Sequence, residues 1–165
     1  MKWTLLLLLL GAIQLATAQA NNPSTMDRAD LLRFDFPDLN GKRVRLADFH
    51  GQPLVLDIWA TWCPPCRGEL ASLTEVQRKL GPRGLRVIAI SIDEVGDKAV
   101  AQAAADAHVN YPIVFATDEF NSAWNWEGLP VTLFIGRDGK VHRRLLGAST
   151  AEELYRNAEE LLESK

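Results

Sequence analysis

The feature that most constrains this chain is a pair of cysteines, Cys63 and Cys66, placed where an apolar run gives way to a helical pattern. They are its only 2 cysteines. A disulfide-rich scaffold is therefore excluded, and what remains is one very local bond or half of a metal site. Pro53 to Ala60 reads PLVLDIWA, a short apolar run expected to form a buried strand. From Arg67 to Leu80 the apolar residues Leu70, Leu73, Val76 and Leu80 follow a helical period, which Gly81-Pro82 ends. The helix begins near Pro64, so Cys63 falls at its N-terminus, where unpaired N–H groups and the helix dipole favour an anion. A thiolate there has a lowered pKa and reacts better at neutral pH. Cys66 lies one turn on, and side chains at that spacing stand roughly 5–6 Å apart at Cβ, close enough to join. The pair can thus switch between dithiol and disulfide without refolding. Cys63 attacks a partner disulfide and Cys66 resolves the mixed disulfide. Pro64 suits the first helical turn. Together Pro64 and Pro65 remove two N–H donors near Cys63, and neither carries a positive charge. Stabilisation of the thiolate is then moderate, which favours a reducing pair.

Two other readings of the pair are weaker. Zinc takes four ligands, commonly from a second Cys or His pair, and His50, His108 and His142 are scattered without that spacing. A purely structural disulfide closing so short a loop constrains the unfolded chain little.

The N-terminus bears on where this chemistry takes place. Lys2 is followed by the apolar run Leu5 to Leu10 and then by Ala16-Thr17-Ala18, an A-x-A cleavage pattern. Residues 1–18 are expected to be a signal peptide cleaved after Ala18, with Ala18-Gln19-Ala20 as the neighbouring alternative site. The competing outcome is a retained anchor helix, but the stretch is short for a span of ~20 residues and Gln14 interrupts it. No cysteine near the site offers a point for lipid attachment. The expected location is the periplasm, where a cysteine pair can persist oxidised. Contact with the membrane is then expected only through an uncleaved leader. Residues 19–30 are polar and read as a flexible leader, and 31–165 as one domain. The chain's net charge of −3 argues against a nucleic-acid partner. Its 47% hydrophobic and 24% charged residues fit a soluble globular domain and exclude collagen, coiled-coil and low-complexity readings.

The remaining pattern alternates strands and helices. Phe34 to Phe36 and Val44 to Leu46 flank Asn40-Gly41, a hairpin signal. Leu85 to Ile92 reads as a second buried strand, parallel to the first through a right-handed crossover. Lys98 to Val109 is Ala-rich and helical, Ile113 to Ala116 is a strand, and Glu119 to Trp126 a short helix. Val131 to Ile135 and Lys140 to Leu145 form a second hairpin around Arg137-Asp138-Gly139. Thr150 to Glu163 closes the chain as a helix, with Thr150 and Glu153 as a capping box. This order argues an α/β sandwich with a mixed sheet.

Trp59-Ala60-Thr61-Trp62-Cys63-Pro64-Pro65-Cys66-Arg67-Gly68-Glu69 resembles the thioredoxin superfamily, in particular its exported TlpA/ResA-like branch. The likeness extends over nearly all of the domain, through the N-terminal hairpin, an insert near Asp97 to Val114, and Gly128-Leu129-Pro130-Val131-Thr132. It implies a thioredoxin-like three-layer sandwich, with a mixed central sheet flanked by helices, an N-terminal β-hairpin and a central αβ insert. It also implies thiol–disulfide oxidoreductase activity with no bound cofactor and no metal. The implied partners are protein disulfides and an upstream membrane electron donor, with cytochrome c or copper-centre maturation as a possible setting.

The resemblance also assigns roles. Pro130 matches the family's cis-proline facing Cys63, which frees the Leu129 backbone to pair with an extended substrate; the other reading is an ordinary trans proline starting a strand. Glu69 matches an acidic residue beside the cysteines that can influence thiol titration; otherwise it is a solvated first-turn Glu favoured by the dipole. Ala71 stands where the branch often has Pro, which puts a helix kink in doubt. Asp57 departs from the branch's common Asn and matches the buried Asp of thioredoxin. Desolvated mid-strand, it suits a base that takes the Cys66 proton; otherwise it is a surface or structurally bonded Asp. Trp62 is expected to shield the cysteines and touch partners, and Trp59 to be core. Trp124 and Trp126 are either core or a partner-facing patch. Three rival functions follow: a dithiol oxidase of the same fold, a copper-binding assembly factor using Cys63, Cys66 and a distant His such as His108 or His142, and a peroxidase. The last expects a Cys in a P-x₃-T-x₂-C setting, which this chain lacks.

Overall fold

Strand β3 (Leu54–Trp59) is buried at every position, as a run apolar at all but Asp57 requires of a strand covered on both faces. The computed structural model describes residues 31–124 and 127–164. The expected signal peptide, the leader at 19–30 and Trp126 lie outside the described residues. β4 (Arg86–Ser91) pairs parallel to β3, from Leu54 opposite Arg86 to Trp59 opposite Ser91. β6 (Val131–Ile135) pairs antiparallel on the other side, with Asp57 opposite Thr132. β5 (Ile113–Phe115) and β7 (Val141–Leu146) complete a sheet in the order β5-β4-β3-β6-β7. Strands β1 (Asp35–Pro37) and β2 (Arg43–Arg45) form the expected separate hairpin. Its turn is held by Asp38, whose Oδ1 accepts the Asn40 and Lys42 N–H groups at 2.8 Å.

Alternation along the strands divides the core. Val55, Trp59, Val87, Ala89 and Phe134 face α1 (Pro64–Leu80) and α4 (Ala151–Glu163), and α2 (Lys98–Asp106) adds Val100. Leu54, Leu56, Ile58, Ile88 and Ile90 face the other way. There they meet Phe34, Phe36 and Leu46 from the hairpin region and Phe120 of α3 (Asp118–Ala123). The Phe120 ring stands edge-on to both Phe34 and Phe36 at 5.1 Å. Trp124 stacks on Phe120 at 5.7 Å, which places it with this aromatic cluster. The fold is thioredoxin-like, with a mixed sheet flanked by helices and an N-terminal antiparallel hairpin.

Helix ends differ from the sequence pattern where backbone geometry intervenes. α2 stops at Asp106 rather than Val109, because His108 takes φ 50° and turns the chain away. α3 starts at Asp118, capped by the Thr117 hydroxyl on the Phe120 N–H, and ends at Ala123. α1 runs from Pro64 to Leu80 without interruption. A short 3-10 turn (Gly81–Arg83) follows, and the chain reverses at Gly84, whose φ of 101° suits glycine. Thr150 caps α4 by accepting the Glu153 N–H at 3.1 Å. Among the described residues no helix is long and apolar enough to cross a membrane.

Leu73 lies fully buried where α1 packs on the sheet. Replacing it with Ala is expected to cost about 2–5 kcal/mol, from lost burial and the cavity left behind. Urea denaturation followed by far-UV circular dichroism should show a lower midpoint with an unchanged slope. A midpoint equal to the parent's contradicts this packing.

Candidate active site

The cysteines sit just beyond the C-terminal end of β3, where the strand emerges from the core. β3 ends at Trp59, and Cys63 donates its N–H to the Ala60 carbonyl at 3.1 Å, closing a turn. Cys63 is then the N-cap of α1, in extended geometry at φ −99°, and Pro64 and Pro65 follow it in the first turn. Cys63 and Cys66 are disulfide-bonded, with Cα atoms 5.4 Å apart. The two sulfurs are not equivalent to an approaching partner. Cys63 retains 6% exposure, whereas Cys66 has none.

The turn between β3 and α1 is pinned by Asp93, a residue that periodicity does not single out. Its carboxylate accepts the Thr61 N–H at 2.9 Å, the Thr61 hydroxyl at 2.7 Å and the Ser91 hydroxyl at 2.6 Å. The register explains the meeting. Trp59 and Ser91 are opposite, so the residues two beyond each, Thr61 and Asp93, leave the sheet side by side. The only sequence signal is the polar pair standing just past two apolar strands.

Trp62 is 65% exposed and forms a ridge beside Cys63. On one side lies a groove of about 470 Å³ lined by Trp62, Cys63, Ile92, Glu127, Gly128 and Leu129. On the other, a groove of about 700 Å³ runs between α1 and α2, past Arg67, Gly68 and Ala103. The Leu129–Pro130 bond is cis, and Pro130 is buried. Its carbonyl accepts the Gly147 N–H at 2.9 Å.

Behind Cys66 the core holds two carboxyl groups. Asp57 lies between Val55 and Trp59 on β3 and is fully buried. Its Oδ1 receives a long bond of 3.5 Å from the Thr132 hydroxyl, and its Oδ2 has no protein partner among the described residues. Burial pushes its carboxyl well above the ordinary range; the neighbouring Glu69 adds to this, and Thr132 opposes it. Glu69 is 2% exposed, so it is not a solvated first-turn residue. Burial raises its pKa too, the hydrogen bonds from Ser149 oppose the rise, and Glu153 adds to it. The Ser149 N–H donates to Glu69 Oε1, and Oε2 is buried without a partner. Tyr111, another residue the sequence pattern did not reveal, donates its hydroxyl to the Leu70 carbonyl at 3.1 Å. Its own ionisation is pushed up by burial and then by Asp57.

The structure thus brings Cys63, Cys66, Trp62, Leu129 and Pro130 to one edge of the sheet, with Asp57 and Glu69 beneath. The histidines are elsewhere. His142 stands 3.1 Å from Asp138 at the β6–β7 turn, and His108 lies two residues beyond the end of α2. Among the described residues no group of three or more His, Cys, Asp or Glu side chains gathers to hold a metal, so the ligand set of the copper-binding rival is not assembled.

Comparison with known proteins agrees with this geometry. Residues 28–144 match the AhpC/TSA family. The chain is 30% identical over 137 residues to the thiol-disulfide oxidoreductase ResA of Bacillus subtilis (strain 168), covering 82% of this chain and 76% of that protein. It is 33% identical over 122 residues to ResA of Bacillus thuringiensis subsp. konkukian (strain 97-27), covering 73% and 70%. The crystal structure of a thiol:disulfide interchange protein of the thioredoxin family from Chlorobium tepidum TLS matches with a TM-score of 0.71 at 27% identity. That match covers 78% of this chain and 92% of the other.

The buried Asp57 makes stability depend on pH in the opposite sense to a salt-bridged Asp. Its folded pKa lies above the ordinary value of 3.8, so the folded chain holds a proton that the unfolded chain releases. Its contribution is fully present below that ordinary value and is lost as pH rises toward the raised one. Asp57→Asn is therefore expected to be more stable than the parent at about pH 8, with the difference shrinking toward about pH 4. Urea midpoints measured across that range check this. A variant that loses stability equally at both ends contradicts it.

Proposed function

Because the chain belongs to the AhpC/TSA family and is a thiol–disulfide oxidoreductase, we propose that its Cys63–Cys66 pair reduces protein disulfides in the periplasm. The observation that carries the mechanism is the asymmetry of the pair: Cys63 at the rim of a groove, Cys66 sealed beneath it on the side of the two carboxyl groups. Reduced Cys63 attacks one sulfur of a substrate disulfide. The Cys63–substrate bond forms, the substrate S–S bond breaks, and one substrate thiolate leaves and takes a proton. Asp57 then takes the Cys66 proton. The Cys66 thiolate attacks the Cys63 sulfur, the Cys63–substrate bond breaks as the internal disulfide forms, and the second substrate sulfur leaves as a thiolate that takes the proton held by Asp57. Two electrons have passed from the pair to the substrate, and an upstream membrane donor returns them.

Support for the reducing direction is electrostatic. A dithiol is reducing when its thiolates are poorly stabilised. Pro64 and Pro65 take away two of the N–H groups that a helix N-terminus offers Cys63. Asp57 and Glu69, when ionised, place negative charge behind Cys66. Trp62 and the Leu129–Pro130 loop form the proposed substrate seat, where the Leu129 backbone pairs with an extended chain. Export through residues 1–18, a domain over 31–165, and cytochrome c or copper-centre maturation belong to the same proposal.

The test is the reduction potential of the pair, followed through Trp fluorescence in thiol/disulfide buffers. A value at or below about −240 mV supports the reductase, and one near −120 mV reverses the flow and makes the protein a disulfide donor. Cys66→Ser should also trap the Cys63–substrate mixed disulfide, visible on non-reducing gels. Asp57→Asn should slow closure of the internal disulfide by about 10²-fold near neutral pH, the lower end for loss of a general base. Closure at the parental rate removes Asp57 from the mechanism.

A further inference from the structure

The turn between β7 and α4 holds two parts of the site at once. At its start, Gly147 adopts φ 86° and donates its N–H to the Pro130 carbonyl at 2.9 Å. Two residues later, the Ser149 N–H donates to the buried carboxyl of Glu69 on α1. Ser149 precedes Thr150, the N-cap of α4, so this N–H is not one that α4 needs for itself. The helix that carries the cysteines is thereby tied, through three consecutive residues, to the loop that borders the Cys63 groove. A second tie runs parallel to it, from Asp57 on β3 to Thr132, two residues beyond Pro130.

We propose that Ser149 is a positioning residue. Its backbone N–H, gripped by Glu69, keeps the turn 147–149 seated so that Gly147 holds the Pro130 carbonyl and the Leu129 groove keeps its shape. A hydrogen bond to an ionised carboxylate is stronger than one to a neutral acid. The grip is therefore firm when Glu69 is charged and relaxes when it takes a proton, so pH reaches the substrate groove through this turn. The groups facing Glu69 are Asp57 from β3, Glu153 from α4, Tyr111 from the segment before β5 and, once the pair is reduced, the Cys66 thiol on its own helix. This inference rests on the Leu129–Pro130 loop being the substrate seat, and is independent of the direction of electron flow.

Two measurements on the full chain test it. The first is amide hydrogen exchange at Gly147, with no substrate present. Glu69→Ala should speed Gly147 exchange about 10-fold, the loss of one charged hydrogen bond, while β3 amides stay protected. Glu69→Gln keeps an acceptor for Ser149 and should change it less. The second is steady-state turnover of a disulfide-bridged peptide by Ser149→Pro, which lacks the N–H. Its KM should rise about 3- to 10-fold with kcat within about twofold. In the parent, KM should rise as pH falls through the Glu69 titration, and in Glu69→Gln it should stay flat. Unchanged Gly147 exchange in Glu69→Ala overturns the tie itself, even if Ser149→Pro fails to fold. Faster Gly147 exchange with an unchanged KM leaves the tie standing and overturns instead the assignment of this loop as the substrate seat.

Discussion

Everything in the site follows from β3 being buried on both faces. A strand sealed along its whole length can offer chemistry only where it leaves the sheet, and β3 leaves at Trp59. The chain then has four residues, Ala60 to Cys63, in which to turn and start α1. That short turn brings a helix N-terminus, the tip of the neighbouring β4 and the start of β6 to the same edge. Asp93 fixes the turn from the β4 side, and Leu129, just before β6, lines the groove beside Cys63. Cys63 reaches the surface because it lies at the edge where this closed strand ends, while Cys66, one turn further on, stays sealed.

The same burial creates the electrostatic problem beneath them. Asp57 and Glu69 lie in the core with few partners: a 3.5 Å bond from Thr132 for one and the Ser149 N–H for the other. Each retains a buried oxygen with no protein partner among the described residues. A protein selected only for stability gains by replacing such groups with apolar ones. In the mechanism proposed above Asp57 takes the Cys66 proton, and a raised affinity for protons is what a base for a thiol requires.

Much of the architecture was legible beforehand. The apolar runs located β3 and β4, Asn40-Gly41 located the first hairpin, and the spacing of Leu70, Leu73, Val76 and Leu80 located the face of α1. Cys63 and Cys66 stood out because local rules suffice to read them, a helix start and an i to i+3 spacing, whereas Pro130 stood out through the resemblance of 128–132 to a known family. Asp93, Tyr111 and Ser149 did not stand out. Each acts through a partner 32 or more residues away, and no local pattern records such a distance. The end of α2 was misplaced for a related reason. Alanines favour helix throughout 101–107, but the backbone reversal at His108 is imposed by the need to bring β5 alongside β4.

Sequence alone therefore settled the order of elements, the strand and helix periods, and the redox-capable pair at a helix start, because these depend on neighbours within a few residues. Tertiary structure alone decided which acids are buried, which sulfur is sealed, and which loops grip the turn before Cys63 and the carbonyl of Pro130. Those are properties of strand register and of packing between elements distant in the chain. A shift of one residue in the pairing of β3 with β4 leaves the amino-acid pattern unchanged, yet it moves Asp57 to the opposite face and parts Thr61 from Asp93.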